Sequence, residues 1–288
     1  MDDMSERTPP DIPADHGFAA RAGRRLAELA AAGPGRVHIA AWDLADAEPV
    51  TVAADERVPS ASTIKVPILA ASLAEAAAGR LDLHTHHPLP TGRTGGTGVL
   101  DSLRDLRALS LADLLTLMIV VSDNAATNRV IDAVGIDAVN AFCERAGLTS
   151  TRLERRLMDV EAKSRGLENL TSARDQALLL YGLAHGTLLP AEQAAFALEF
   201  LAGQQTRDRL PALLPDGARI AHKTGELRGL RHDTGIITTP AGRQAAVAAL
   251  VTGLSTEPRE AAGPVAACRT IAEIGLTTYL ALRPDLPE

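Results

Sequence analysis

The stretch VPSASTIKVPIL, residues 58–69, decides how the rest of the chain reads. It sets Ser62 and Lys65 three residues apart, with the lysine between Ile64 and Val66 at the head of an apolar run that predicts a helix over 62–79. Residues at i and i+3 share a helix face, about 5–6 Å apart at Cβ. A capping serine and a lysine whose stem lies along an apolar surface would explain the pair. So would a nucleophile beside the amine that takes its proton. Pro67 lacks the N–H that would bond the Thr63 carbonyl. Either the helix starts near Ser62 or its first turn is distorted, and both put Ser62 at the tip of the element.

Outward from this stretch, FAARAGRRLAELAAAG (18–33) reads as an amphipathic helix stopped at Gly33-Pro34-Gly35. RVHIAAWDL and PVTVAA follow as short strands joined by a turn at 45–48. Helical patterns then run over 110–121, 124–147, 172–186 and 190–204, interrupted by two loops, LPTGRTGGTGVL (89–100) and RRLMDVEAKSRGLEN (155–169). Strands return at 218–225, 230–239 and 243–253, and a last helix spans 259–282. No repeat is evident. Strands from both chain ends around a helical middle predict an α+β fold. An antiparallel sheet, flanked by N- and C-terminal helices, would carry an inserted all-helical lobe. The expected division is a disordered lead-in over 1–16, an α/β lobe from 17–59 with 216–288, and a helical lobe over 60–215, all one structural unit.

Hydrophobic residues make up 46% and charged residues 23% of the 288, the balance of a soluble globular protein. A net charge of −7 and 2% aromatics argue against a nucleic-acid partner, which needs cations and stacking platforms. Cys143 and Cys268 lack metal spacing; two buried thiols are the favoured reading and one disulfide the alternative. No cofactor or metal is expected. No basic-then-apolar leader and no long apolar run is present, so the chain as written is expected to be cytoplasmic, with no membrane span. A monomer is expected.

Two further motifs lie downstream. Ser122-Asp123-Asn124 stands where the run LLTLMIVV stops and a new helix starts, as an N-cap would. Lys223-Thr224-Gly225 ends a predicted strand. The order S-x-x-K, S-D-N, K-T-G resembles the class A β-lactamases and penicillin-binding proteins, a family of serine hydrolases. The resemblance covers about residues 18–282.

It implies a β-lactam amide hydrolysed through an acyl-enzyme: Ser62 as nucleophile, Lys65 as its base, Ser122 returning the proton to the leaving nitrogen. Asn124 would hold the substrate amide. Lys223, Thr224 and Gly225 would hold a substrate carboxylate, and the N–H groups of Ser62 and Glu226 would form the oxyanion hole with the Glu226 side chain turned away. The substrate would be a small molecule, a β-lactam or an acyl-peptide or ester bearing a carboxylate. Alternatives are an intracellular penicillin-binding-protein-like peptidase or esterase, or a slowly deacylating β-lactam-binding protein.

Family members usually act outside the cytosol, and lactamases of this class carry Arg-x-Glu-x-x-x-Asn in the loop closing the site. Here Arg155 matches, Leu157 stands at the glutamate position and Glu161 at the asparagine. Glu161 is the expected substitute for the water-activating acid; the alternatives are Asp159 or no substitute at all. Arg219, Arg228 and Arg231 are candidates for an extra carboxylate clamp, and His222 is expected to be a strand-end packing residue.

Overall fold

The computed structural model describes residues 17–46, 48–89, 92–256 and 262–283. The expected lead-in, 1–16, lies outside the described residues. Helix α1 (Phe18–Ala32) is followed by strands β1 (Arg36–Asp43), β2 (Val50–Val52) and β3 (Val58–Pro59). A 3₁₀ turn, Ala61–Ile64, leads into α2 (Lys65–Ala77). Next come β4 (His86–Pro88), β5 (Ala108–Ser110), α3 (Leu111–Val120), α4 (Asn124–Val134), α5 (Ile136–Arg145) and α6 (Val160–Ser164). The chain continues through β6 (Leu170–Thr171), α7 (Ala173–Ala184), α8 (Ala191–Ala202), β7 (Arg219–Leu227), β8 (Leu230–Thr238), β9 (Gln244–Thr252) and α9 (Ala262–Ala281).

The fold is α+β. Its main sheet has the order β2-β1-β9-β8-β7, antiparallel throughout, with β7 on one edge. Alternation along β9 divides the core, because successive strand residues face opposite sides of a sheet. Ala245, Val247, Ala249 and Val251 pack with Phe18, Leu26, Ile271 and Ile274 of α1 and α9. Ala248 and Leu250 face the other side, against Ala173 and Ala177 of α7. A third cluster surrounds α2, where every residue from Lys65 to Leu73 is buried. A helix apolar around its whole circumference belongs in a core. That burial is what makes Lys65 unusual.

Pro67 is the third residue of α2, inside the first turn, where its missing N–H has no intrahelical partner to lose. The preceding 3₁₀ turn puts Ser62 at the tip, so both readings of Pro67 contribute. The helix expected over 124–147 is two helices. Gly135, at φ +85°, breaks them because that backbone lies outside the helical region. The loop 155–169 contains the short α6, which Asp159 caps by accepting from Ala162 N at 2.8 Å. The loop over 89–100 lies between β4 and β5, a pair the period-2 pattern was too short to reveal. Cys143 and Cys268 are free thiols. Among the described residues no helix is long and apolar enough to cross a membrane.

Candidate active site

A cleft of about 420 Å³ opens between β7, the 3₁₀ turn and the loop 155–169. Ser62, Ser122, Asn124, Thr224 and Glu226 line it, so residues from all three motifs meet there. β7 can approach the nucleophile turn because Gly225 lacks a side chain. A Cβ there would come within 3.1 Å of Thr63 Cγ2 and 3.2 Å of the Ser60 carbonyl oxygen.

Lys65 is fully buried, and its Nζ donates to Ser122 O at 2.7 Å, Asn124 Oδ1 at 2.9 Å and Ser122 Oγ at 3.0 Å. Ser62 Oγ is not among these partners, although the helical spacing predicts that contact. The acceptors on residues 122 and 124 are the ones that compensate a buried amine, so they hold the lysine in the unliganded state. Burial first, and the neighbouring Lys223 second, push the Lys65 pKa well below the usual lysine value; Asp123 opposes them. All three partners are oxygens that accept from Nζ, so the buried amine leaves no donor unmatched.

The tripeptide Ser122-Asp123-Asn124 serves as both cap and site. Asp123 caps α4 through Ala126 N at 2.9 Å and also accepts from Val99 N at 2.6 Å and Leu100 N at 2.9 Å. That pins the 92–100 loop across the cleft mouth. Gly98 is required there, since at φ +128° an added Cβ would lie 2.3 Å from Asp123 Oδ2. Ser122 itself sits at φ +55° and Ala61, immediately before Ser62, at φ +47°. Left-handed non-glycine backbone costs about 1–3 kcal/mol per residue and collects where a site over-determines it.

Lys223 is fully buried, its Nζ donating to Thr224 O at 2.9 Å. Burial is the main cause of a pKa lowered to about 7; Asp233 raises it and Arg209 lowers it further. His222 is not at a strand end as expected, for β7 continues to Leu227. It is fully buried with Nδ1 2.9 Å and 3.1 Å from the two carboxylate oxygens of Asp233. That carboxylate also accepts from Leu210 N at 3.1 Å, and its charge raises the Lys223 pKa against burial.

The loop 155–169 is stapled shut. Arg155 donates to Glu168 at 2.6 Å, and Asn169 Oδ1 accepts from the backbone N–H groups of Glu154 and Arg155 at 2.8 Å and 3.0 Å. Asn169 O takes the Ser60 N–H at 2.8 Å, tying the loop to the nucleophile turn. Asn128 clamps the Leu157 backbone from both sides, at 2.8 Å and 3.0 Å, and Leu157 lines the cleft.

Glu161 is brought to the surface, with 82% of its side chain exposed and paired with Arg165 at 3.0 Å. It does not line the cleft, which corrects its expected place as the water-activating acid. Being the second residue of α6, it projects away from the cleft while Asp159 caps the helix. Asp159, Glu168 and Glu226 are the carboxylates that line the cleft among the described residues. Asp159 holds Ala162 N, Glu168 holds Arg155, and Glu226 faces two arginines.

Of the candidate clamps, Arg219 is exposed at the start of β7, and Arg228 is exposed and donates to Thr256 O at 2.9 Å. Arg231 bonds Glu226 at 3.2 Å. Besides Arg155 in the loop, the cleft is lined by Arg209, which sequence reasoning missed. It is 2% exposed and reaches Gly225 O, His232 O and Glu226. It lies in an irregular segment after α8 with no periodic or motif signal to single it out.

The sequence model of the Beta-lactamase enzyme family matches residues 21–281. A β-lactamase of Streptomyces albus G is 31% identical over 247 residues, covering 82% of this chain and 78% of that one. A β-lactamase crystal structure from Sphaerobacter thermophilus superposes with a TM-score of 0.80 at 32% identity, covering 94% and 98% of the two chains. PBP-A gives a TM-score of 0.79 at 26% identity, also over 94% and 98%. A leucine-to-glutamate mutant of PBP-A, solved as an acyl-enzyme complex with penicillin G, matches equally well. Taken with a buried lysine of the first motif bonded to the serine and asparagine of the second, these likenesses place the chain in the β-lactamase enzyme family of serine hydrolases.

Proposed function

We propose that the chain hydrolyses β-lactam amides through an acyl-enzyme on Ser62, and that release of the acyl group is slower than its formation. The observation that carries this is the buried Lys65 amine, held 3.0 Å from the Oγ of Ser122, which lines the cleft with Ser62. The neutral amine takes the Ser62 proton as Oγ bonds the lactam carbonyl carbon. The developing oxyanion lies on the N–H groups of Ser62 and Glu226. Lys65 then passes its proton through Ser122 to the lactam nitrogen as the C–N bond breaks, leaving an ester on Ser62. Asn124 holds the substrate amide, and Thr224 with Lys223 and Gly225 holds the far end.

Water must then cleave the ester, and the cleft-lining position that matches the family's water-activating glutamate is Leu157, whose side chain neither accepts a proton nor orients water. Asp159 and Glu168 are occupied by a helix cap and an ion pair. A second reading, a penicillin-binding peptidase or esterase for which β-lactams are slow substrates, is favoured by the same leucine and by the likeness to PBP-A.

Intact-mass spectrometry after mixing with a penicillin tests the proposal. The wild type is expected to gain one penicillin mass that decays over time, and Ser62→Ala to gain none. An adduct on Ser62→Ala at full stoichiometry would refute it, and an adduct that never decays would support the second reading.

A further inference from the structure

In the proposed mechanism the oxyanion hole draws on segments far apart in the chain. The Ser62 N–H belongs to the turn before α2 and the Glu226 N–H to edge strand β7. One buried side chain sits where the two meet. His232 on β8 lies directly across from Gly225, the residue before Glu226, and is fully buried. Its Nε2 is 2.9 Å from the carbonyl oxygen of Pro59, which leads into the nucleophile turn. Arg209 Nη1 fastens the same strand pair by donating to Gly225 O at 3.0 Å and His232 O at 3.1 Å. The junction is tight: a Cβ at Gly225 would lie 3.2 Å from both His232 Cβ and Ser60 O. Between Pro59 and Ser62 the backbone is strained, with Ala61 at φ +47°. Left-handed backbone at a residue with a side chain costs about 1–3 kcal/mol and persists only where its surroundings hold it.

Pro59 O is an acceptor, so a ring nitrogen that bonds it carries a proton. Burial lowers the His232 pKa to about 4; the Pro59 and Arg231 carbonyls oppose this, and Arg209 and His38 add to it. At neutral pH the ring therefore has one proton for two nitrogens. Nδ1 lies 2.8 Å from the carbonyl of the preceding residue, Arg231, a contact within one strand. Nothing local brings Pro59, 173 residues away in the chain, to Nε2. A bare Nε2 there would set lone pair against lone pair in a buried place, where the mismatch is costly. Resting on the reading that Ser62 is acylated, we propose that His232 is a positioning residue for the oxyanion hole: its Nε2–H donates to Pro59 O and fixes the spacing of the Ser62 and Glu226 N–H groups. It does not line the cleft, so it acts through the two segments it joins. A misplacement of about 1 Å costs about 10²-fold in rate. The loss falls on the tetrahedral state, where charge develops on the oxygen, and spares initial binding of the substrate.

The test follows wild type, His232→Leu and His232→Gln with two probes. One is a penicillin, for the acylation rate; the other is an alkylboronic acid, whose tetrahedral serine adduct places an oxygen in the hole. In His232→Leu the acylation rate constant is expected to fall at least tenfold and the boronic acid inhibition constant to rise by a similar factor. The dissociation constant of the initial penicillin complex is expected to stay within about threefold. His232→Gln, whose amide N–H has a similar reach, is expected to recover most of both losses. Acylation within about twofold of wild type in His232→Leu overturns the inference. So does slowed acylation with unchanged boronic acid affinity, or a glutamine variant no better than the leucine one. On the wild type, ¹⁵N NMR of the ring is expected to show Nε2 protonated and Nδ1 bare at pH 7. A bare Nε2 overturns the inference whether or not the variants fold. A penicillin adduct forming on Ser62→Ala would instead sink the acyl-enzyme reading.

Discussion

The nucleophile wall and the loop floor of this cleft differ in what their ionisable groups have left to do. On the wall, Lys65 is bonded to Ser122 and Asn124, and burial pushes its pKa well below the usual lysine value. On the floor, each carboxylate of 155–169 is spent on architecture: Asp159 caps α6, Glu161 pairs with Arg165 in solvent, and Glu168 closes the loop neck against Arg155. Both regions are well ordered by hydrogen bonds, yet the loop carboxylates that line the cleft are held by a helix cap and an ion pair. A closed loop is thus no evidence of an active one. In the proposed mechanism acylation and deacylation need separate bases, and the loop holds no uncommitted carboxylate for the second.

The harshest way to break this comparison is to remove the wall's base. Lys65→Ala should slow acylation by about 10²–10⁴-fold in stopped-flow or time-resolved mass measurements, the usual contribution of a general base. Acylation within a few-fold of wild type would mean the wall has another acceptor. Next comes supplying the floor with what it lacks. Leu157→Glu, on a backbone already clamped by Asn128, should speed decay of the penicillin adduct at least tenfold, about 1.4 kcal/mol of barrier. If decay is not faster, the missing carboxylate is not what limits release.

A smaller effect separates the two lysines. The Lys223 pKa, lowered to about 7 chiefly by burial, means the cation is present below that value and lost as pH rises through it. KM for a carboxylate β-lactam should therefore rise through about pH 7 while KM for its methyl ester does not. Taking the ratio of the two compounds cancels the titration of Lys65, which serves both. A flat ratio would remove Lys223 from carboxylate binding. The smallest change is expected at Glu161, where Glu161→Gln should leave adduct decay within about twofold, as surface substitutions usually do. A tenfold slowing there would show that α6 rearranges in the acylated state.

The sequence alone determined the three motifs, their order and the elements that carry them. S-x-x-K depends on a helix tip, S-D-N on a helix start and K-T-G on a strand, and each is specified by a few neighbouring residues. The α+β class and the sheet strands were legible for the same reason: the short apolar run bounded by Gly242 and Gly253 is a local record of a strand buried on both faces. Gly135 concealed its break because a single residue at positive φ leaves the apolar period on either side intact. What only the tertiary structure decided is where charge is spent. Arg209 reaches Glu226 across the fold, Lys65 bonds Ser122 rather than Ser62, and Glu161 turns outward while Leu157 turns in. These outcomes follow from the competition of distant groups for a limited set of buried partners. Desolvation makes each unmatched charge costly, and no local pattern records which partner lies within reach.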